Sequence, residues 1–526
     1  MANGHYAVTV DLGTTGLKVG FVSFGGDLVW SDHAPCVTRT LPGGGREQDA
    51  EGWWQTIAAM IRAGVASGDF DPGQVAVIAC TGQWASTVPV DADGVAVGPC
   101  IMWNDTRGRR HARERVGGRL AGYSPIALRR WVRRTAAAPF ADGKGPLGGQ
   151  LYLLRERPEI ARAARWFLEP VDYLTMRFTG VAAATHPSMR ASWLTDNRHP
   201  DVLGYDADLV RWAGIDAGKL PPITRTSSVA GNIRDDVADG LGLPRRTPAV
   251  TGLPDLDTAP AGSGALGDDA HLVVGTTSWI SCAAPGKKSD LAHEVISVPG
   301  PIHGRYVVVD NIDTAGACLD WFRRIVSLDG TAAAPDVDAG ALIDLAVTVP
   351  PGSDGVVFTP WLSGAQAPIA DASARAGFHN VRLHTGAAEM ARAVLEGVAV
   401  QNALLLGAVE RFVRRRLEPL RIIGGGARSD VWCQIHADAL DRTLERPVDP
   451  INAGLRGAAL NAAMAIGAIT ADDIHRCVKI DATFHPDPAN RPLYERMART
   501  MRKLHRGQKR PLAHLNRRRA HQPVDD

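Results

Sequence analysis

The sequence predicts a duplicated α/β protein, two domains built on one plan and facing each other across a cleft. Three observations predict it. The chain has 526 residues, too many for one ordinary core, so two or more domains are required. Residues 8–26 read VTVDLGTTGLKVGFVSFGG and residues 272–282 read LVVGTTSWISC, so the same Gly-Thr-Thr turn stands twice between β-prone runs. From the second turn onward the elements parallel those after the first, as an internal duplication would give. The boundary falls near residue 266, which divides the chain into domains 1–266 and 267–486 and a basic segment 487–526.

The elements follow in order. Val8–Leu12, Leu17–Ser23 and Asp27–Pro35 are short apolar or β-branched runs split by glycine turns, and read as three sequential strands. Apolar residues at helical spacing predict a helix over Glu51–Ala66, and the apolar run Val75–Cys80 predicts a strand ending at Thr81-Gly82. Gly148–Ala164 and Pro170–Phe178 read as helices in a less periodic middle section. In the second half Ala387–Val413 reads as a long amphipathic helix and Leu420–Ile423 as a strand running into Gly424-Gly425-Gly426. Val431–Leu440 and Leu455–Ile466 are read as helices, the latter rich in small residues and so suited to close packing.

Composition excludes several classes. A formal net charge of +2 does not suit a dedicated nucleic-acid binder. The seven cysteines are scattered, with no Cys-x-x-Cys pair, against a disulfide framework or a zinc ribbon. The start MANGHYAVTVD lacks the basic and apolar regions of a signal peptide, and no stretch reads as a membrane span. A soluble cytoplasmic protein is the expectation, with a homodimer among its expected assemblies and neither membrane nor nucleic acid as partner. From Arg496 the chain is strongly basic, which predicts a solvated helix fraying into a disordered tail.

The duplicated turn suits phosphate. Glycine lets the backbone approach closely, and threonine hydroxyls add donors. One turn per domain could grip a polyphosphate from both sides of a cleft. Asp11 stands beside the first turn alone, and an acid there suits a divalent metal. The run is no Walker loop, since no GxxxxGK[ST] opens a helix. The cluster GGGARSDVW reads either as a helix-starting turn or as a backbone surface for a flat ligand such as adenine.

These residues resemble the FGGY carbohydrate kinases, of the ribonuclease-H-like, actin/hexokinase-type ATPase fold, and among them xylulokinases most. The resemblance runs from about residue 6 to residue 480 through ordered motifs: VDLGTTGLKVG, GREQDAEGWW, CTGQWA, IMWNDTRG, VDYLTMRFTG, GLPDLDTAPAGSGALGDDAHLVVGTTSW and IIGGGARSDVWCQIHADALDRTLERPV. It implies ATP and Mg2+, with Asp11 orienting the metal through water. Gly13, Thr14, Thr15 and Lys18, with Gly275, Thr276 and Thr277, would face the phosphates, and Gly424, Gly425, Gly426 and Ala427 the adenosine. Asp255 would be the base that takes a proton from the sugar hydroxyl as the phosphoryl group arrives.

The family register selects Asp255 because Gly262 and Gly264 fall where a Gly-x-Gly follows the aspartate; Asp257 competes, since in an extended segment both would point to one face. Gln83, Trp84 and Asp105 are expected on the sugar side. Asp105 has a second reading, a loop held by an Asp–Arg pair with Arg107. Trp84 either stacks on the acceptor, donates its N–H or fills core volume.

The chain departs from the family here. Gly82-Gln83-Trp84-Ala85 stands where xylulokinases commonly have Gly-Gln-Met-His, Pro254-Asp255-Leu256-Asp257 replaces Gly-Asp-Asn-Ala, and LSGAQAP lacks an acid–base pair. The expected function is an ATP-dependent sugar or polyol kinase. A catalytically silent nucleotide-binding protein of the same fold is the alternative. Trp53-Trp54 is expected in the core, and His436 is expected to be structural.

Overall fold

The structure, a computed structural model, describes residues 5–120, 122–302, 304–326 and 338–517. Tyr6–Leu12, Gly16–Ser23 and Leu28–Pro35 form an antiparallel meander. On the other side of Tyr6–Leu12 the strands Val75–Gly82 and Pro248–Val250 continue the sheet in parallel, and Val229–Asn232 closes its edge antiparallel. The second half repeats the order. Ala270–Val274, Ser278–Ala284 and Tyr306–Val309 are antiparallel, Leu420–Ile423 and Leu444–Pro447 follow in parallel, and Ile480–Phe484 closes antiparallel. Two further strands, Val295–Pro299 and Lys288–Asp290, extend this second sheet beyond Tyr306–Val309.

Each sheet is covered on both faces, which explains why its central strands read as continuous apolar runs. In Tyr6–Leu12 successive side chains alternate between faces. Val8, Val10 and Leu12 pack with Ile57 and Ile61 of the helix Ala50–Ala66. Asp49 caps that helix by accepting from the N–H groups of Glu51 and Gly52. On the other face Ala7, Val77 and Ala79 pack with Leu455, Ala458 and Ala462.

These last residues lie on Ala453–Ala465, a helix from the second half of the chain that covers the first sheet. In return Asp255–Ser263, from the first half, reaches the second sheet, where Ala259 packs with Val273 and Ile423. The two helices cross backbone to backbone. A Cβ on Gly262 would lie 1.9 Å from the Ala453 carbonyl oxygen, and one on Gly457 2.2 Å from that of Thr258. Only glycine permits this approach, so the two sheets are joined through a crossing that any larger side chain would force apart.

Most predicted elements are present, some with altered ends. Ala387–Val413 and Leu420–Ile423 have the predicted bounds. The long helix is apolar enough to cross a membrane by composition, but 83% of that window is buried inside the protein. Trp53 is buried, and Trp54 packs edge-on against Phe178. Two expectations need correction. Gly148–Ala164 is two helices, Gly145–Glu156 and Pro158–Ala163, because Pro158 ends the first and Arg157 sits at φ −130°, ψ 56°. The basic C-terminal segment contains the expected helix, Arg491–Arg517, but one face is docked rather than solvated: Tyr494, Met497 and Met501 are buried against Trp361, Val400 and Leu404. Residues 518–526 of the expected tail lie outside the described residues.

Candidate active site

Strand register assembles the first half of the site. Tyr6–Leu12, Val75–Gly82 and Leu253–Pro254 run parallel and end side by side, with Leu12 opposite Gly82 and Gly82 opposite Pro254. The residues that follow them, Gly13-Thr14-Thr15, Gln83-Trp84 and Asp255, therefore emerge at one edge. This is the carboxyl end of parallel strands, where α/β sheets bind ligands. In the second half Ala270–Val274 and Leu420–Ile423 are likewise parallel, so Gly275-Thr276-Thr277 and Gly424-Gly425-Gly426 emerge together. Gly424 has φ +97°, and a Cβ there would lie 2.7 Å from the Val274 carbonyl oxygen. Gly425 has nothing within 4 Å of such a Cβ, so its face is open.

The segment Pro450–Gly454 joins the two edges. Gly424 N–H donates to the Pro450 carbonyl at 3.0 Å, and Lys18 Nζ to that of Ile451 at 2.6 Å. A Cβ on Gly454 would lie 2.4 Å from Asp11 Oδ2. Lys18 also stands 4.0 Å from Asp11 Oδ2. Its ammonium thus serves as a strut between the halves, a role the sequence reading did not give it.

Both Gly-Thr-Thr turns are pinned by their carbonyls. Gln48 Nε2 donates to the Thr14 carbonyl at 2.8 Å, and the Cys36 N–H to that of Thr15 at 3.0 Å. In the second turn the Gly316 N–H donates to the Gly275 carbonyl at 2.8 Å and the Ala315 N–H to that of Thr276 at 2.9 Å. Thr15 and Thr276 are exposed, and Thr14 and Thr277 half-buried. Rigid turns with exposed hydroxyls are the arrangement an anion needs. Ala427 departs from its expected place facing a ligand: it is buried, and its carbonyl accepts from Arg446 Nη1 at 3.2 Å.

The two candidate bases separate cleanly. The segment is helical from Asp255, so the condition under which both carboxylates share a face is not met. Asp257 is wholly buried and bound by Arg190 through Nη1–Oδ1 at 3.0 Å and Nη2–Oδ2 at 2.7 Å. Asp255 is only half-buried and accepts one backbone N–H, from Leu256 at 2.7 Å. Burial, then the nearby Asp11 carboxylate, pushes its pKa up to about 7. A carboxylate poised near neutrality is suited to general-base work.

On the sugar side the expected residues divide. Gln83 is buried, donates Nε2 to Gln48 Oε1 at 3.2 Å, and leaves its own Oε1 without a partner. Trp84 is half-buried; its Nε1 donates to the Ser188 carbonyl at 3.0 Å and its ring lies 4.8 Å from the Arg190 guanidinium. One face of the indole is therefore already covered. Asp105 fits the Asp–Arg reading: its carboxylate accepts from the Arg46 N–H, the Arg107 N–H and the Arg107 guanidinium, which also binds Glu47. That leaves it little capacity for a sugar. His436 is structural, buried between the Trp432 carbonyl and Asn402.

Sequence reasoning missed Arg190, Gln48 and Gly454, and named Asn104 only as part of the Asp105 loop. Asn104 Oδ1 is buried without a partner beside the Asp105 loop. Gln48 lay within the motif GREQDAEGWW and could have been singled out; Arg190 and Gly454 carry no local signal. The residues present fit magnesium in one respect: Asp11 is a partly exposed carboxylate whose ion-pair partner among the described residues, Lys18, stands at 4.0 Å. Among the described residues no group of three or more His, Cys, Asp or Glu forms a metal cage, so phosphate and water would supply most ligands of a bound magnesium.

Comparison with known proteins agrees with this geometry. The profile of the FGGY family of carbohydrate kinases, N-terminal domain, matches residues 6–116 and 150–262, and that of the C-terminal domain residues 270–466. The xylulose kinase of Lactococcus lactis is 25% identical over 519 residues, covering 95% of this chain and 96% of that one. The xylulose kinase of Streptomyces coelicolor is 29% identical over 481 residues, 90% of each chain. The fold is that of the gluconate kinase structure from Lactobacillus acidophilus, with a TM-score of 0.82, 21% identity and 96% and 98% of the two chains covered. The two profiles meet at the crossing helices and between them span both phosphate turns, Asp11 and Asp255: this chain belongs to the FGGY family of carbohydrate kinases, and its co-substrate is ATP.

Proposed function

We propose that this kinase phosphorylates a ketopentose, xylulose, with Asp255 as general base. The observation that carries the reading is the contrast between Asp255 and Asp257. One carboxylate stands at the cleft with a pKa near 7, and the other is locked on Arg190. A sugar hydroxyl is a poor nucleophile, and a carboxylate within hydrogen-bond reach can accept its proton. The curated relatives named above, both xylulose kinases, support the acceptor.

The remaining roles follow from position. The pinned turns at Thr14-Thr15 and Thr276-Thr277 hold the phosphate chain from both domains. Gly425 offers an open backbone face to the adenosine, and Gly424 seats that turn against Val274. Bound magnesium would neutralise phosphate charge, and Asp11 would hold it through water. Gln83 Oε1 accepts from a sugar hydroxyl. Closing the two halves about the glycine crossing would exclude water from the cleft.

The test is ATP consumption, with product identification, over ketopentoses, other small polyols and sugar acids, for the native protein and Asp255→Asn. Xylulose should give the highest kcat/KM, and the variant should lose it. A higher kcat/KM on a sugar acid would reassign the acceptor. ATP binding with no turnover on any acceptor would favour the silent nucleotide-binding reading.

A further inference from the structure

Outside the cleft, the C-terminal helix Arg491–Arg517 and the core helix Ala387–Val413 line an open-sided cavity of about 470 Å³, around which Arg411, Arg502 and Arg506 are exposed. That is the size range of small-molecule sites. Its wall carries Arg411, Arg502, Arg506, His293 and His505, and Leu404 forms part of its floor.

The charges in this wall are unbalanced. Among the described residues none of the three arginines has a carboxylate in ion-pair range. The acids that could have served are taken. Glu410, next to Arg411, is bound by Arg442 at 2.8 Å. Glu495 is bound by Arg491 and Arg499. Asp371 holds His505 at 2.8 Å, and Asp290 holds His293 at 2.8 Å. Burial, then the positive charges of Arg411 and Arg506, lowers the pKa of Arg502, so its neighbours repel rather than pair with it.

Like charges gathered around a concavity cost stability, and an anion that neutralises them recovers it. Guanidinium groups match phosphate oxygens through forked donors, more closely than ammonium groups do. We propose that this cavity is a second ligand site, separate from the catalytic cleft, and that it binds a small molecule carrying two phosphate groups. Three guanidinium groups suit the charge of two phosphates better than that of one, and the volume admits a compact metabolite.

The test is calorimetric titration of the full chain with inorganic pyrophosphate and, separately, a sugar bisphosphate. It is run at about 0.15 M salt, where exposed charges are screened. No nucleotide is added, because ADP itself carries two phosphates and would compete for the cavity. Arg502→Gln/Arg506→Gln should weaken one site per chain about tenfold or more, while any heat from the cleft stays the same in both proteins. Whichever diphosphate binds more tightly names the source of the ligand.

Two companion readouts guard against a folding artefact. Without ligand the double variant should keep its native turnover, and its Tm should equal or exceed the native value, because a repulsion has been removed. Absence of titratable heat, unchanged affinity in the variant, citrate binding as tightly as the diphosphates, or a lowered Tm would each overturn the proposal.

Discussion

Arg190 holds Asp257 through two hydrogen bonds of 2.7 and 3.0 Å, both side chains buried, while donating to the Pro299 carbonyl at 2.6 Å and lying over Trp84. One guanidinium thus ties the helix that begins at Asp255, the Gln83-Trp84 loop and a strand of the second sheet. Removing one partner of such a pair leaves a buried charge uncompensated, at a cost of about 3–5 kcal/mol. Asp257→Asn should therefore lower stability by roughly that amount in denaturant titrations. Asp255→Asn should leave stability nearly unchanged and reduce kcat by about a hundredfold or more, with ATP binding kept. Abolished turnover in a stably folded Asp257→Asn protein, with Asp255→Asn active, would reverse the assignment.

The pKa of Asp255 sets a pH dependence. A general base acts only when deprotonated, and the pKa of Asp255 is raised to about 7 by burial and by the Asp11 charge. The profile of kcat/KM reports the free enzyme, so it should fall on the acid side with a midpoint near 7. Asp11→Asn removes a like charge, which makes the carboxylate of Asp255 easier to form. The acid limb should move to lower pH even as the absolute rate drops. A limb unmoved by Asp11→Asn would show that the two carboxylates do not interact.

The sequence carried the sheets well, because β-branched runs such as Val75–Cys80 and the paired Gly-Thr-Thr turns are local signals. It carried the site less evenly. The helix at Asp255 was not legible: PDLDTAPAGSG contains two prolines and two glycines, and its helical state rests on the close crossing with Ala453–Ala465, nearly two hundred residues away. Arg190 was invisible for the same reason, its role being fixed by Asp257 67 residues later. The docked face of the C-terminal helix, by contrast, was present in the spacing of Tyr494, Met497 and Met501, but basic charge dominated the reading.

Gly454 gives a prediction without a direct substrate contact. Alanine is the better helix former by about 1 kcal/mol, so Gly454→Ala should not weaken the helix itself. Its Cβ, however, would lie 2.4 Å from Asp11 Oδ2, and the carboxylate must move. The variant should fold with native secondary structure, show reduced turnover and need more magnesium for half-maximal rate. A magnesium titration that superimposes on the native curve would show that Asp11 has room to spare.

Asp11 itself is tested by removal. Asp11→Ala should lower kcat and flatten the dependence on magnesium, while the KM for the sugar changes little. The side chain is partly exposed and weakly tied, so its loss should cost little stability. A native response to magnesium in this variant would place the metal elsewhere in the cleft.

Trp84 makes two separable contacts, and two substitutions distinguish them. Trp84→Phe deletes the N–H that donates to the Ser188 carbonyl at 3.0 Å but retains a ring for Arg190 to cover. Trp84→Ala removes both, together with the free face of the indole. If that free face lines the acceptor pocket, Trp84→Ala should raise the KM for the acceptor well above any change for ATP, and Trp84→Phe should do so only slightly. Loss of the cation–ring contact should cost about 0.5–2 kcal/mol of stability in Trp84→Ala, which denaturant titration would register. The decisive comparison is therefore between the two constants rather than in stability. Equal effects on the KM of ATP and of the acceptor, or none on either, would make Trp84 a prop for Arg190 alone and leave the acceptor to Gln83 and Asn104.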